Sequence, residues 1–210
     1  MRIVRFACMC LLGAAALRGQ TVNCLVAVVN GHLITLVDVE IVAEFGLAGR
    51  PLEGEVKDPR FAALDALIDR KVVLNVTREA RAVDGEAAAA ALGDVRGRLG
   101  EDEFGRRLRK FGLEERDLRP YIEERLRFEM ALALRFSRSL PVPRPDVEKY
   151  YREVYAPGEV RRGQEPQSLD RVTGLIEARL RERTLEDQTY AWIKDLRGRA
   201  DIRIKKDCLK

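Results

Sequence analysis

Residues 169–204 read LDRVTGLIEARLRERTLEDQTYAWIKDLRGRADIRI, and this segment indicates a mostly helical fold. Its apolar residues recur at the spacing of one helix face. The pattern predicts a helix of about thirty residues, roughly 45 Å long at 1.5 Å per residue, that ends near Gly198. Ile202-Arg203-Ile204 then alternates in polarity, which predicts a short strand. The apolar stripe consists of Leu169, Val172, Ile176, Leu180, Leu185, Thr189, Trp192 and Leu196.

The other end of the sequence predicts a β-hairpin. Leu25 to Val29 is a short apolar run rich in β-branched residues, and Asn30-Gly31 separates it from a second such run. Asn-Gly at this place favours a type I′ turn, because both central residues of that turn need a positive φ. His32 lies beside the turn with no other metal-ligating side chain nearby. We therefore interpret His32 as a solvated turn residue.

The sequence between these two ends is helical. Apolar periodicity marks each helix, and glycine or proline marks where it stops. Phe128 to Phe136 is apolar on nearly every side, so we expect the helix that contains it to be the most buried. Ala156 to Gln167 is expected to be a polar loop. The predicted helices run from Thr35 to Phe45, Pro59 to about Ala82, Asp84 to Gly100, Glu101 to Phe111, Glu114 to Phe136 and Pro145 to Tyr155.

Composition argues against several classes of function. The chain has 210 residues with 46% hydrophobic and 34% charged residues, one histidine and four cysteines. A single histidine excludes most histidine-based triads and histidine-rich metal sites. The formal net charge is +4, and it falls by three to +1 without the arginines of the N-terminal segment described next. That small surplus argues against nucleic acid as a partner, because phosphate binding needs an excess of cations.

The first residues have the pattern of a secretory signal peptide. Arg2 and Arg5 precede an apolar run, and small residues follow up to Gly19. A run of about twelve apolar residues is shorter than the ~20 that a spanning helix needs, which argues against a membrane anchor. We expect residues 1–19 to be removed, and the mature chain to begin near Gln20 or Thr21 and to be periplasmic, with no integral membrane segment.

Cleavage at that place would leave two cysteines, Cys24 and Cys208. An even pair in an oxidising compartment suggests one disulfide. Two free thiols, or thiols paired between molecules, are the other interpretation that the sequence leaves open.

The sequence contains no catalytic, cofactor-binding or metal-ligating motif. It has no nucleophile elbow, phosphate loop or Cys-x-x-Cys, and its paired glutamates are adjacent and therefore diverge around a helix. Composition and motifs predict a protein that is not an enzyme and needs no cofactor or metal. A basic cluster, Arg106, Arg107, Arg109 and Lys110, is either a solvated helix face or a site for acidic partners.

The order of the elements resembles the SurA family of periplasmic chaperones. The similarity covers most of residues 22–205 and rests on apolar patterns and turns. It is carried by Val26–Thr35, Leu64–Ala82 with Leu67-Ile68-Asp69, Glu103-Phe104, Phe111-Gly112-Leu113, the helix with Tyr121, Ile122 and Arg125, Pro145–Tyr151, and Trp192–Leu196 followed by Ala200–Ile204.

The resemblance implies a mostly α, multi-helix core chaperone module with a small β-sheet formed by the N-terminal hairpin and the C-terminal strand. Residues 20–140 would form the N-terminal helical domain, and residues 141–210 the connector, C-terminal helices and final strand that pack back on it. The family's parvulin prolyl-isomerase domain, about ninety residues, cannot fit between Ala156 and Gln167. The implied function is an ATP-independent holdase for unfolded outer-membrane or secreted proteins, without isomerase activity.

Two other functions are open: a non-catalytic adaptor or oligomeric structural protein of the cell envelope that has one fixed partner or forms a homodimer, and a divergent prolyl isomerase. The resemblance also places the first and last strands in one sheet, which implies a Cys24–Cys208 disulfide. Candidate contacts to clients are aromatic residues at helical spacing, for which a role in the core is the competing interpretation. These candidates are Phe104, Phe111, Tyr121, Tyr150 and Tyr151.

Overall fold

A small antiparallel sheet joins the two ends of the described chain. The computed structural model describes residues 24–49, 58–77, 82–136 and 141–209. Strands β1 (Leu25–Val29), β2 (His32–Thr35) and β3 (Ile202–Ile204) lie in the order β2-β1-β3. The protein is mostly α with this small sheet, so the predicted fold class is confirmed.

The hairpin turn has the predicted geometry. Asn30 has φ 48° and Gly31 has φ 82°, the left-handed values that a type I′ turn requires. Val29 pairs with His32 across the turn, and Val28 pairs with Arg203 on the other side of β1. The last strand is thereby aligned antiparallel to the first.

Helices form the rest of the described structure. Two of them begin with side-chain caps: Thr35 and Asp38 form a reciprocal capping box, and Asp58 accepts a hydrogen bond from the Arg60 N–H at 2.9 Å. The α-helices are α1 (Leu36–Glu44), α2 (Pro59–Val76), α3 (Gly85–Leu99), α4 (Glu101–Phe111), α5 (Arg119–Arg135), α6 (Arg144–Tyr150), α7 (Ala156–Arg161) and α8 (Leu169–Arg199), and short 3-10 turns cover Glu115–Leu118 and Lys206–Leu209.

Helix α2 is the centre of the main core. It packs against α1, α5 and α8, and successive turns of it are buried on several sides. The prediction that the helix with Phe128 to Phe136 is the most buried is wrong. In α5 only Ile122 and Ala131 are buried, and Leu134 is 62% exposed, because only one face of α5 meets the core.

The expected polar loop over Ala156–Gln167 is also wrong in its first half. A π-helical turn, Tyr151–Tyr155, continues α6 directly into α7, which ends at Arg161. Pro157 lies in the first turn of α7. The irregular connection to α8 is therefore shorter than the sequence suggested.

Helix α8 connects the main core to a second, smaller apolar cluster. Its C-terminal half contributes Ile193 and Leu196 to the main core. Its N-terminal half packs on α6, where Val147, Val172 and Ile176 are buried together. The middle of α8 lies between the two clusters and is largely exposed.

The two cysteines of the described chain lie at disulfide-bonding distance. The Cα atoms of Cys24 and Cys208 are 6.1 Å apart, within the range that a disulfide requires. The 3-10 turn after β3 brings Cys208 beside the start of β1, and Leu209 enters the main core. The predicted pairing is confirmed in its geometry, and such pairs are typical of oxidising compartments.

The predicted signal peptide, residues 1–19, lies outside the described residues. Within the part of the chain that the structure describes, none of the helices has the length and apolar character needed to cross a membrane.

Candidate functional site

A groove with a volume of about 760 Å³ runs between α6 and the middle of α8. The connector between α5 and α6 closes one side of it with Pro141, Val142 and Pro143. Proline fixes φ, and it also restricts the residue before it, so this connector is a stiff wall. The groove thus lies between the main core and the smaller cluster.

Apolar and aromatic side chains line much of the groove. Tyr150 and Val154 come from the α6 side, and Leu185 from α8; Phe136 lies at the end of α5. Val154 and Leu185 are each 45% exposed and line the same groove, and adjoining exposed apolar side chains are typical of interaction sites. The groove can therefore bury apolar side chains of another molecule.

Charged residues of both signs share the lining with these apolar side chains. The acidic and basic ones are equal in number, and Arg181 is already paired with Glu177 at 2.6 Å. A balanced lining gives no strong preference for ligand charge. The charged lining residues are Asp146, Lys149, Glu153, Arg181, Glu182 and Arg183.

An aromatic and guanidinium cluster adjoins the groove at Phe136. The rings of Phe136 and Trp192 meet edge to face at 5.8 Å, and the Arg135 guanidinium lies 4.4 Å from the Trp192 ring centroid. This cation–π contact joins the end of α5 to α8. It fixes the ring of Phe136 in the groove wall.

Two of the five predicted aromatic contacts belong to the core region around α4. Phe104 is 3% exposed and packs edge to face on Phe45 at 5.9 Å. Phe111 is partly buried against the same core, with the Lys110 ammonium 5.3 Å from its ring centroid. The burial of Phe104 removes it from any client surface, as the competing core interpretation anticipated.

The other three predicted residues occupy three different places. Tyr150 lines the groove. Tyr151 stacks on Tyr155 at 5.6 Å, and its hydroxyl donates to the Gln167 carbonyl at 2.8 Å. Tyr121 lines a second pocket beside β2. The five candidates therefore do not form one surface.

The basic cluster on α4 makes internal contacts. Arg107 donates to the backbone carbonyl of Glu44 and pairs with Glu103, and the Lys110 ammonium lies 2.5 Å from a Glu44 carboxylate oxygen. Glu44 ends α1, where backbone carbonyls need donors and the helix dipole attracts cations. Arg107 and Lys110 thus fasten α4 to the end of α1, while Arg106 pairs with Glu103.

A partly buried ion pair fixes α8 on α2. The Arg197 Nε lies 2.5 Å from Oδ1 of Asp69, which is 8% exposed, and Arg197 also donates to the Asp65 carbonyl at 3.0 Å. Burial raises the pKa of Asp69 to about 6, although Arg197 acts in the opposite direction. This pair sets the position of the α8 segment that leads to the groove.

Arg70, the next residue on α2, is buried almost completely. It is 2% exposed and donates to the carbonyls of Leu47 and Ala48. Burial lowers the pKa of Arg70 to about 10, while the charge of Glu124 raises it. Arg70 therefore holds the loop after α1 against α2.

Four apolar residues that line the groove were not among the binding candidates predicted from the sequence: Phe136, Val142, Val154 and Leu185. Leu185 belonged to the apolar stripe predicted for α8, and Val142 lies between two prolines, so the sequence indicated the segment in which each residue lies. Neither pattern distinguishes a core residue from an exposed one. Exposure depends on which neighbours the fold supplies.

Comparison with known proteins supplies no family for this chain. No protein-family model matches it, and no curated protein is significantly similar to it. Among the described residues, no group of three or more His, Cys, Asp or Glu side chains is arranged to hold a metal ion.

Proposed function

We propose that this protein is an ATP-independent holdase that binds unfolded polypeptides in the groove between α6 and α8. The observation that carries the proposal is the pair of exposed apolar side chains, Val154 and Leu185, that line one open groove with Tyr150 and Phe136. Such a lining offers apolar contact that tolerates many sequences. A charge-balanced rim adds little selectivity.

The SurA resemblance in the sequence supports the same function and gives its setting. The proposed clients are outer-membrane or secreted proteins, and the proposed compartment is the periplasm. The Cys24–Cys208 pair supports an oxidising compartment. The connection from α7 to α8 has no room for a parvulin domain, so the proposed chaperone has no isomerase activity.

The direct test is suppression of aggregation. The purified mature protein is mixed with a urea-unfolded outer-membrane β-barrel protein, and light scattering is followed after dilution without ATP. We expect slower aggregation at stoichiometric ratios, with proline isomerisation of a test peptide at the background rate. An isomerase rate above background would contradict the absence of catalysis.

The groove is tested with a matched pair of substitutions on α8. Leu185→Asp puts a charge into the apolar lining and should weaken client binding about tenfold, since burying a charge beside apolar groups is costly. Leu175→Asp is the control, because Leu175 is 49% exposed on the same helix but does not line the groove. Equal effects of the two substitutions would reject the groove as the client site.

The aggregation assay also distinguishes the adaptor from the holdase. An adaptor would leave aggregation unchanged and would bind one partner at fixed stoichiometry. Light scattering coupled to size-exclusion chromatography measures whether the protein forms a homodimer and whether Leu185→Asp disrupts it.

A further inference from the structure

A second pocket of about 500 Å³ lies between β2, α2 and the start of α5. Leu33, Leu67, Leu113 and the ring of Tyr121 give it an apolar wall. Leu33 is 61% exposed, so the pocket opens beside the sheet. The groove between α6 and α8 shares no lining residue with it.

The charges around this pocket are unbalanced. Asp38, Asp117 and Glu124 line it together with one cation, Lys71. The Lys71 Nζ lies 2.5 Å from Oε2 of Glu124, so its charge is already compensated. The other oxygen of Glu124, Oε1, is buried and has no hydrogen-bond partner among the described residues. Two carboxylates in excess make the pocket negative.

Tyr121 connects the apolar wall of the pocket to one of these carboxylates. Its hydroxyl donates to Oδ1 of Asp38 at 2.8 Å. The pKa of Tyr121 is raised, first by burial, then by this hydrogen bond and by the charges of Asp38 and Glu124. Both carboxylates therefore act on the interior of the pocket.

The strand beside the pocket has a free edge. Within the described chain, β2 is the outer strand of the sheet and pairs only with β1. His32 and Ile34 pair with Val29 and Ala27. In an antiparallel ladder that starts at a two-residue turn, these are the hydrogen-bonded pairs, so Leu33 directs its backbone N–H and C=O to the open edge. An extended chain can accept and donate hydrogen bonds there.

We infer that this pocket binds the cationic side chain, lysine or arginine, of an extended polypeptide segment laid along the outer edge of β2. The methylene stem would lie on Leu67, Leu113 and the Tyr121 ring, as long cationic side chains do on apolar surface. The charged head would reach the carboxylates of Asp117 and Glu124. Leu33 would supply the backbone hydrogen bonds that orient the segment.

This inference rests on the proposed function only in taking a polypeptide as the occupant. It adds a second site, with a charge preference that the balanced groove lacks. A client that passes through both sites would need apolar residues in one stretch and a cation in another.

The probe is a short blocked peptide of alternating valine and threonine with one central lysine and a fluorescent label. Two companion peptides carry norleucine or glutamate in place of the lysine. Fluorescence anisotropy against the intact mature protein should give binding of the lysine peptide roughly tenfold tighter than that of the norleucine peptide, as expected for one charge-assisted hydrogen-bonded contact. Glutamate should bind most weakly, and added salt should reduce the preference for lysine. Equal affinities for the three peptides would overturn the inference.

Substitutions inside and outside the pocket test whether the lysine side chain binds there. Asp117→Asn removes one pocket charge but keeps an oxygen that can accept from the Glu114 N–H, as Asp117 does now at 2.8 Å. The control is Glu114→Gln, which removes a charge from the same turn outside the pocket, where Glu114 pairs with Arg116. We expect Asp117→Asn to lower affinity for the lysine peptide about fivefold and Glu114→Gln to leave it nearly unchanged. Equal losses would indicate general electrostatic attraction and would reject the pocket.

The two proposals fail separately. If Leu185→Asp abolishes client binding while Asp117→Asn does not alter lysine preference, the holdase stands and the cation pocket is rejected. If Asp117→Asn removes the lysine preference while aggregation of clients is never suppressed, the pocket stands and the holdase is rejected.

Discussion

The two apolar clusters of this molecule are supported very differently. The main core joins the sheet with α1 to α5 and the C-terminal half of α8, and it is reinforced by a disulfide and by a partly buried ion pair. The smaller cluster has Val147, Val172 and Ile176 as its buried residues, and α6 and α8 hold it. The groove lies along this less supported end. A binding surface there can adjust at low cost, because regions with few buried contacts open more easily than the core does.

A matched pair of isoleucine substitutions should show the largest difference in stability between the two clusters. Ile68 is 1% exposed in the main core, and Ile176 is 0% exposed in the smaller cluster. Replacement of a buried isoleucine by alanine costs about 2 to 5 kcal/mol. We expect Ile68→Ala to lower the free energy of global unfolding by about 4 kcal/mol, and Ile176→Ala to destabilise mainly the α6–α8 end.

Hydrogen exchange distinguishes local destabilisation from global destabilisation, and denaturant unfolding measures the free energy of global unfolding. Ile176→Ala should raise exchange in α6 and the first half of α8 while amides of α2 stay protected. Uniform loss of protection in both variants would show that the two clusters unfold as one unit.

Removal of the disulfide should lower the free energy of global unfolding. The bond links residues 184 positions apart, so it restricts the unfolded chain over nearly its whole described length. We expect Cys24→Ser with Cys208→Ser to cost about 3 kcal/mol of stability. Thermal melting with and without reductant checks this, and the double variant should melt like the reduced wild type. A wild type that melts identically in both conditions would argue against the bond.

The ion pair between α2 and α8 predicts a pH dependence. The pKa of Asp69 is raised from 3.8 to about 6 by burial, so the folded state holds its proton at pH values where the unfolded state has lost it. Stability from this group is present below about pH 4 and is lost as pH rises through 6, a change on the order of 2 kcal/mol.

Unfolding of the wild type and of Asp69→Asn across this range isolates the contribution. The stability of the wild type relative to the variant should fall between pH 4 and pH 7. A difference that is constant, or that grows with pH, would mean that Arg197 outweighs burial at Asp69.

The smallest expected effect on stability concerns a hydrogen bond near the start of α8. Tyr151→Phe removes the hydroxyl that donates to the Gln167 carbonyl, and an exposed neutral hydrogen bond contributes about 0.5 to 1 kcal/mol. We expect faster exchange at the start of α8 with little change in the melting temperature. Tyr155→Phe is the control for the loss of a tyrosine hydroxyl in the same stacked pair.

Local signals in the sequence predicted the local features of this fold. Asn30-Gly31 specified the hairpin, and Thr35 with Asp38 specified the start of α1, because a turn or a cap depends on a few adjacent residues. The Cys24–Cys208 pairing followed from the family resemblance and the antiparallel strands. The turn and the cap needed no knowledge of distant packing, whereas the pairing of two cysteines 184 positions apart did.

Features that depend on tertiary neighbours were predicted less well. The apolar surroundings of Phe128 to Phe136 suggested deep burial, yet the structure covers only one face of α5. Pro157 and Gly158 suggested a loop, but proline is tolerated in the first turn of a helix, and Pro157 lies in the first turn of α7. The groove combined residues from three separated segments, and no local pattern marks which apolar side chains stay exposed.

The covalent link near both ends of the described chain bears on survival under proteolysis. A single cut at any peptide bond between Cys24 and Cys208 produces two fragments that the disulfide still holds together. The fragments also share the β1–β3 pairing, so the break need not separate the sheet. A nicked molecule would keep its parts at high effective concentration and could re-form its helical packing. One cleavage would therefore separate this protein into two fragments only after reduction of the disulfide.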